Sequence, residues 1–403
     1  MSAGRGPNNA TSEPLGTGRE DGAGDAFGVY IHWPFCTRIC PYCDFNVRRD
    51  RGVDEGAWRA ALTNDLARQA SLTGRRPVTS IYFGGGTPSL MSADLVGALI
   101  ERCDALWGMG DDVEITLEAN PEAGAAARFA DFAAAGVNRL SLGAQSFSDA
   151  ALAFLGRNHD AAQARAAIEA AAAAFDRHTF DLIYGRPDQS TEDWAAELDL
   201  ALDLARDHLS LYQLTIEPGT AFARAAARGR LAPLGEDAAA AQFDLAREHC
   251  AKAGLVDYEV SNFARPGGEG RHNLLYWRYR DYAGAGPGAH GRLTIGGEKH
   301  AAETVADPKR YLEAARGGDA FSVLAPLSPL DQLRELLAMG LRLREGASLA
   351  RIRGLIAKGA PPLDDSALET LSRQGLIEPS EGRLRATATG RRVLDAVTAA
   401  LAP

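Results

Sequence analysis

Six runs rich in β-branched and aromatic residues, GVYIHWP, VTSIYFGGG, DVEITLEANP, NRLSLGAQSF, HTFDLIYG and HLSLYQLTIEP, recur along the chain. They are separated by stretches of helical length such as EGAWRAALTNDLARQASL and SADLVGALIERCDALW. Strand alternating with helix about six times dictates a parallel sheet covered by helices, because a parallel crossover needs the length that a helix supplies. Either an open doubly wound sheet or a full or partial barrel satisfies that pattern. The polar residues choose between them. Each run ends in groups that a buried strand has no packing reason to carry: a cysteine loop after the first, GGGT at 84 to 87, Glu118 with Asn120, Gln145, Asp181 and Gln213. A barrel gathers the C-terminal ends of its strands around one mouth; an open sheet spreads them along an edge, although a crevice collects a few. In DVEITLEAN, alternation puts Glu114, Thr116 and Glu118 on one face and Ile115 and Leu117 on the other, which suits a polar lumen. The expected fold class is α/β, a partial six-stranded (β/α)6 barrel.

Residues 1–27 are rich in Gly, Ser, Asn and Pro and are expected to form a disordered tail. The barrel is expected over 28–324. After Ala325, helices, a short hairpin and a last helix over 325–403 read as a winged-helix-like domain; that fold often binds DNA, but the mixed charges suit packing or partner docking equally. A formal net charge of −10 sets the chain as a whole against nucleic acid phosphates and anionic membrane, while leaving room for a local basic patch. No apolar run approaches the roughly 18 residues needed to cross a bilayer, and the N-terminus lacks the order of a secretory signal. The expected location is cytoplasmic, with no nucleic-acid partner and at most peripheral membrane contact. Thiols stay reduced there, so clustered cysteines point to metal or redox chemistry.

Three of the five cysteines, Cys36, Cys40 and Cys43, follow C-x3-C-x2-C after the first strand. A structural zinc site needs four ligands, normally in two close pairs, and His32 is the only nearby candidate for a fourth. An iron–sulfur cluster held by three thiolates would leave one iron open to a substrate or cofactor. Cys103 and Cys250 lie in predicted helices, where a single thiol is usually a small buried hydrophobe. GGGTP at 84–88 would let a ligand approach the backbone and turn N–H groups toward an anion; alone, it reads equally as a tight turn.

The cysteine spacing resembles that of the radical S-adenosylmethionine superfamily. The resemblance implies a 4Fe-4S cluster on Cys36, Cys40 and Cys43 whose open iron chelates the methionine end of S-adenosylmethionine. The reduced cluster of that superfamily cleaves the sulfonium to a 5'-deoxyadenosyl radical, with an electron donor such as flavodoxin or ferredoxin. More closely, YIHWPFCTRICPYCDF, YFGGGTPSL, LEANPE, GAQSF, GRNHD and DLIYGRPDQ resemble the coproporphyrinogen dehydrogenase family and its HemW-type haem-chaperone relatives, from about Gly28 to His300. By that resemblance Tyr30 contacts the cofactor, Gly85, Gly86 and Thr87 belong to the methionine-binding stretch, and Glu118, Gln145, Arg157 and Asp181 surround methionine, ribose and adenine. As packing alternatives, Glu118 and Asp181 would be core ion-pair partners and Arg157 a solvated helix residue. Arg186 and Asp188 depart from the family pattern and are expected at the rim of the mouth.

The dehydrogenases carry a further cysteine two residues after the cluster set. Here that position is Phe45, an aromatic as in the chaperone-type relatives. The tail also lacks the ordered basic extension that the dehydrogenases place over their substrate. RHNLLYWRYRDYAGAGPGAHGR, from Arg271 to Arg292, resembles the HNxxYW segment of the chaperones. In that reading His272 or, second, His290 ligates haem iron, Tyr276 and Trp277 stack on the macrocycle, and Arg271, Arg278 or Arg280 meets propionates. The alternative is an aromatic loop closing the barrel with His272 hydrogen-bonded inside it. The expected function is a haem chaperone of radical S-adenosylmethionine fold, with haem and acceptor haem proteins as partners. The rival is an oxygen-independent coproporphyrinogen III dehydrogenase, and a third reading is a metal-bearing DNA-binding regulator.

Overall fold

The computed structural model describes residues 26–122 and 124–403. The tail expected over 1–27 lies outside the described residues except at its end, where Phe27 already pairs with Val78 and Asp281.

The six runs form strands β1 (Phe27–Trp33), β2 (Val78–Gly85), β3 (Met109–Ala119), β4 (Arg139–Gln145), β5 (Arg177–Tyr184) and β6 (His208–Gln213). They lie side by side in that order, all parallel. Four of the crossover helices open on a side chain that takes up an orphan N–H. Asp54 accepts from Ala57, Ser92 from Leu95 and Ser190 from Asp193, and Asp160 forms a reciprocal pair with Gln163. Such caps are worth about 1 kcal/mol each. Alternation decides what faces the helices. Val29, Ile81 and Ile115 stand in register on neighbouring strands and join one apolar core with Leu62, Leu66 and Leu99 from the covering helices.

The barrel does not close. Beyond β6 the sheet continues with antiparallel Asn262–Ala264, and beyond β1 with parallel Asp281–Ala285. Three further antiparallel strands follow, His290–Ile295, Glu298–Thr304 and Phe321–Pro326, in a sheet of twelve strands. The sequence reading missed these flanking strands because several are short and glycine-bearing, without the aromatic or β-branched density of the six. The C-terminal residues form a second apolar core around Leu333, Leu337, Ile352, Leu384 and Val397, with a three-stranded sheet and helices.

One interior layer of the barrel holds Tyr30, Tyr82, Thr116, Arg139 and Arg177 in register across five strands. Arg139 is only 3% exposed. Glu114, one layer below, lies 2.8 Å from Arg177 and 4.0 Å from Arg139. It also accepts the backbone N–H of His272 at 3.2 Å. Removing one partner of such a buried set strands the other charge, which costs about 3–5 kcal/mol. Glu114→Ala is therefore expected to lower the unfolding free energy by about that amount, read as a lower urea midpoint; an unchanged midpoint would contradict the assignment.

Candidate functional site

At the C-terminal ends of β1–β6 a cavity of about 320 Å³ opens, lined by all three loop cysteines together with Gly85, Gly86, Thr87, Glu118, Asn120, Gln145, Arg157 and Asp181. The loop that carries the thiols is fastened at several points. Arg48 N–H donates to Pro34 at 2.6 Å, Asp50 N–H to Cys36 at 2.8 Å and Phe222 N–H to Pro41 at 2.9 Å. His32, 5% exposed within β1, accepts from the Tyr30 hydroxyl at Nδ1 (3.0 Å) and donates from Nε2 to the Asn46 carbonyl (3.0 Å). Both ring nitrogens are thereby occupied, so His32 is no fourth metal ligand.

Among the described residues, no three His, Cys, Asp or Glu side chains converge on a point that could hold a single metal ion. That geometry disfavours zinc, whose ligands must meet at one centre, whereas thiolates on separate corners of a cluster need not. Burial raises the thiol of Cys36 to about 11 and raises that of Cys43. A bound metal supplies the positive charge that thiolates in such surroundings lack. The donor set fits an iron–sulfur cluster. Cys103 and Cys250 are fully buried in helices and far from such use, with thiols raised to about 12 by burial.

The glycine turn works differently from expectation. A Cβ on Gly85 would lie 2.6 Å from the His32 ring, and one on Gly86 would lie 2.6 Å from the Phe35 carbonyl and 3.0 Å from Cys36 Sγ. Close approach to the cysteine strand therefore demands glycine here, with φ of +111° at Gly85. The N–H groups are not free for an anion: Gly85 donates to Glu118 (3.3 Å), Gly86 to Trp33 (2.7 Å) and Thr87 to Phe35 (2.8 Å). The turn can offer carbonyl oxygens instead, which suit an ammonium group.

Across the mouth, Arg157 is no solvated helix residue. Its guanidinium reaches Cys40 Sγ at 3.4 Å and the Gly143 carbonyl at 2.9 Å, and it contacts Asn120, whose amide donates to Thr87 Oγ1 at 2.9 Å. Glu118 accepts from the Tyr82 hydroxyl at 2.8 Å; burial and then the charge of Asp181 push its carboxyl up to about 7. Burial likewise pushes Asp181 to about 6. A cation bound beside them would return both to the carboxylate form. Gln145 stands at φ +68°, a conformation uncommon outside glycine. Tyr30 does not line the cavity. It lies one layer deeper, its ring 6.3 Å from that of Tyr82. Asn120, expected at the mouth as a polar strand end but given no role, and Tyr42, not expected there, line the mouth beside Arg157; Tyr42 carried no signal beyond its place in the loop.

Arg186 and Asp188 require a correction. Arg186 is 8% exposed and pairs with Glu197 at 2.7 Å beneath the barrel's outer helices, outside the mouth cavity, because Glu197 also accepts Ser146 Oγ and Phe147 N–H and needs a cation. Asp188 lies beside it at φ +60°.

A model of the radical SAM superfamily matches residues 30–201, and one of the HemN C-terminal domain matches 327–393. A heme chaperone HemW of Mycobacterium tuberculosis is 38% identical over 94% of this chain and 95% of its own length. The chain belongs to the HemW-type family of the radical SAM superfamily. The mitochondrial radical S-adenosyl methionine domain-containing protein 1 of Mus musculus is 39% identical over 93% of this chain and 87% of its own. Coproporphyrinogen III oxidase (HemN) from Escherichia coli superposes with a TM-score of 0.76 at 23% identity, covering 94% of this chain and 90% of that one, which shows the shared fold.

The family's HNxxYW segment is folded inward here. It forms helix Arg271–Trp277, whose His272 is 3% exposed inside the barrel. Its Nδ1 lies 2.9 Å from Ser80 Oγ, and its ring stacks on Tyr82 (5.1 Å) and meets Tyr276 edge-on (5.0 Å). Arg271 pairs with Asp112, Arg278 with Glu345, and Trp277 lies under Arg342 at 4.5 Å. The helix closes the barrel and fastens the C-terminal domain, and His272 Nε2 is buried there without a hydrogen-bond partner, so that a macrocycle would reach it only by opening that packing. His290 is different, with a side chain 59% exposed.

Burial lowers the His272 pKa to about 3. The unfolded chain binds a proton there below about pH 6.5, while the folded chain does not. Stability from this group is therefore lost as pH falls from about 6.5 toward 3. In the metal-free chain, His272→Phe is expected to lose less stability than wild type between pH 6.5 and 4, by denaturant titration; parallel curves would refute a neutral buried His272. Gly86→Ala is expected to displace Cys36 and to leave reconstituted protein with less than half the wild-type iron.

Proposed function

We propose that this protein is a haem carrier of radical SAM fold, which binds haem as cargo and delivers it to acceptor haem proteins in the cytoplasm. Cys36, Cys40 and Cys43 would hold a 4Fe-4S cluster. Arg157 would meet the carboxylate of S-adenosylmethionine in a two-pronged contact, the Gly85–Thr87 turn its ammonium, and Glu118, Gln145 and Asp181 its ribose and adenine. A cluster held there, with an electron donor such as flavodoxin or ferredoxin, would supply the reducing power for cleavage of the sulfonium. The division into a barrel unit over 28–324 and a C-terminal unit over 325–403 belongs to the same proposal; a second apolar core after the sheet supports it, while strand Phe321–Pro326 runs across the boundary and Tyr279 of the barrel unit joins that second core.

The observation that carries the reading is Phe45. It occupies the position where the dehydrogenase pattern has a thiol, and it is 62% exposed at the edge of the mouth. A side chain without an ionisable hydrogen cannot take the place of a thiol in proton or radical chemistry. The near full-length similarity to a relative named heme chaperone HemW supports the same reading. Among the described residues no helix is long and apolar enough to cross a membrane.

Two measurements test it on anaerobically reconstituted protein. Haem preloaded on the protein should move to an apo-haem acceptor, and coproporphyrinogen III supplied with S-adenosylmethionine and a reductant should not become the divinyl product. Changing any one of Cys36, Cys40 or Cys43 to Ala should remove most of the bound iron. Robust divinyl product would make the protein an enzyme of the rival class, and absence of acceptor-dependent transfer would defeat the carrier reading.

A further inference from the structure

A second large cavity, of about 800 Å³, opens at the floor of the barrel. That volume is within the range of small-molecule sites. Ala26, Pro77 and Asp281 line it where β1, β2 and strand Asp281–Ala285 begin, so it lies at the N-terminal ends of the parallel strands. Further lining comes from the C-terminal region, with Gln332 on helix Pro329–Gly340 and Arg351 on helix Leu349–Ala357. The mouth and the floor cavity share no lining residue. Reacting groups of a barrel gather at the other end, which leaves the floor for binding.

Charge sets this cavity apart. Arg75, Arg76, Arg280, Lys299, Arg351 and Lys358 line it against two carboxylates, Asp281 and Glu298, on a chain of net charge −10. Asp281 is already shared: Arg76 lies 2.8 Å from it and Lys299 2.9 Å, and it accepts the N–H of Thr294 at 2.9 Å. Lys299 and Arg351 also converge on Tyr279. Both donate to its carbonyl, at 3.3 and 3.0 Å, and both lie over its ring, at 4.4 and 5.5 Å. A carbonyl and a ring face attract cations but cancel no charge. Burial, and to a lesser extent Arg351, hold the Lys299 ammonium below the usual lysine range although Asp281 acts the other way. Cations gathered this closely disfavour one another, and an anion among them relieves that cost. Arg75, just ahead of β2, and Lys358, just after helix Leu349–Ala357, are exposed and bring charge to the cavity from both sides of the boundary near Ala325.

The lining selects the class of ligand. Guanidinium groups meet phosphate oxygens in two-pronged contacts, and lysine adds a compact point charge. So large an excess of cations suits several negative charges held close together, and Pro326, Leu327 and Pro329 add an apolar stretch for an organic remainder. We propose that the floor cavity binds a small molecule carrying two or more adjacent phosphate groups, such as a nucleoside diphosphate, and that the bound phosphates tie the C-terminal region to the barrel. Arg75 and Lys358 approach the phosphates from the two regions, with Arg76, Lys299 and Arg351 deeper in the cavity. The site is separate from the cluster and from the cargo, and it does not depend on the carrier reading.

The test is calorimetric titration of inorganic pyrophosphate, ADP and citrate into the full-length protein at about 0.15 M salt, where loosely held surface ions are screened. Wild type should bind pyrophosphate saturably, near one per chain. Arg75→Glu combined with Lys358→Glu, both exposed and outside the mouth, should weaken that binding at least tenfold in a variant whose urea midpoint matches wild type. Tighter binding of ADP than of pyrophosphate would support a nucleotide as ligand, and equal binding would support a free polyphosphate. No saturable binding, affinity unchanged in the double variant, or citrate held as tightly as pyrophosphate would overturn the proposal. Binding seen only after Glu20→Gln, Asp21→Asn and Asp25→Asn would overturn it too, because those carboxylates, which shortly precede Ala26 in the chain, would then be the occupant.

Discussion

The carboxylate of Glu114 holds together parts of the chain that are distant in sequence. It receives a guanidinium from Arg177 on β5, lies beside that of Arg139 on β4, and accepts the N–H of His272 from the helix that fills the barrel's open side. Arg177 continues the chain of contacts to the carbonyls of Gly268 and Glu269, just ahead of that helix. A barrel that fails to close must satisfy the polar groups of its lumen without bulk water, because each buried group left alone costs on the order of 1–3 kcal/mol. Glu114 does so from the bottom upward. The layer above, with Tyr30, Tyr82 and Thr116, then packs on the His272 ring, and the mouth rests on that layer.

The mouth is built by close approach more than by spare hydrogen bonds. Glycines at 85 and 86 let β2 pass within contact of His32 and Cys36, and the N–H groups of the turn serve the protein itself. Polar capacity is concentrated in Glu118, Asp181, Asn120 and Arg157, whose side chains are held by neighbours before any ligand arrives. Preorganised groups lose little further freedom on binding.

Periodicity made most of the frame legible. Alternation in DVEITLEAN assigned Glu114, Thr116 and Glu118 to the lumen, and the polar strand ends marked the mouth. The edge strands carried no such signal, since NFA is too short and DYAGA is short and glycine-bearing, so neither stands out from loops. The HNxxYW segment was legible as a motif but not in its packing. A histidine flanked by aromatics looks the same whether it awaits a ligand or packs on tyrosines from another strand, and Ser80, Tyr82 and Glu114, which decide the matter, lie well over a hundred residues away in sequence. Arg186 was misplaced likewise, because its partner Glu197 sits on a helix whose facing the local pattern does not report.

The distribution of sulfur has a consequence of its own. Cys103 and Cys250 are sealed in the core with their thiols pushed far toward the protonated form, while Cys40 and Cys43 are partly open at the mouth. Alkylating or oxidising agents act on accessible thiolate, so the native fold confines such chemistry to one loop. Damage that strips metal from that loop would leave the hidden thiols untouched and offer up at one spot all the reactive cysteine the molecule has.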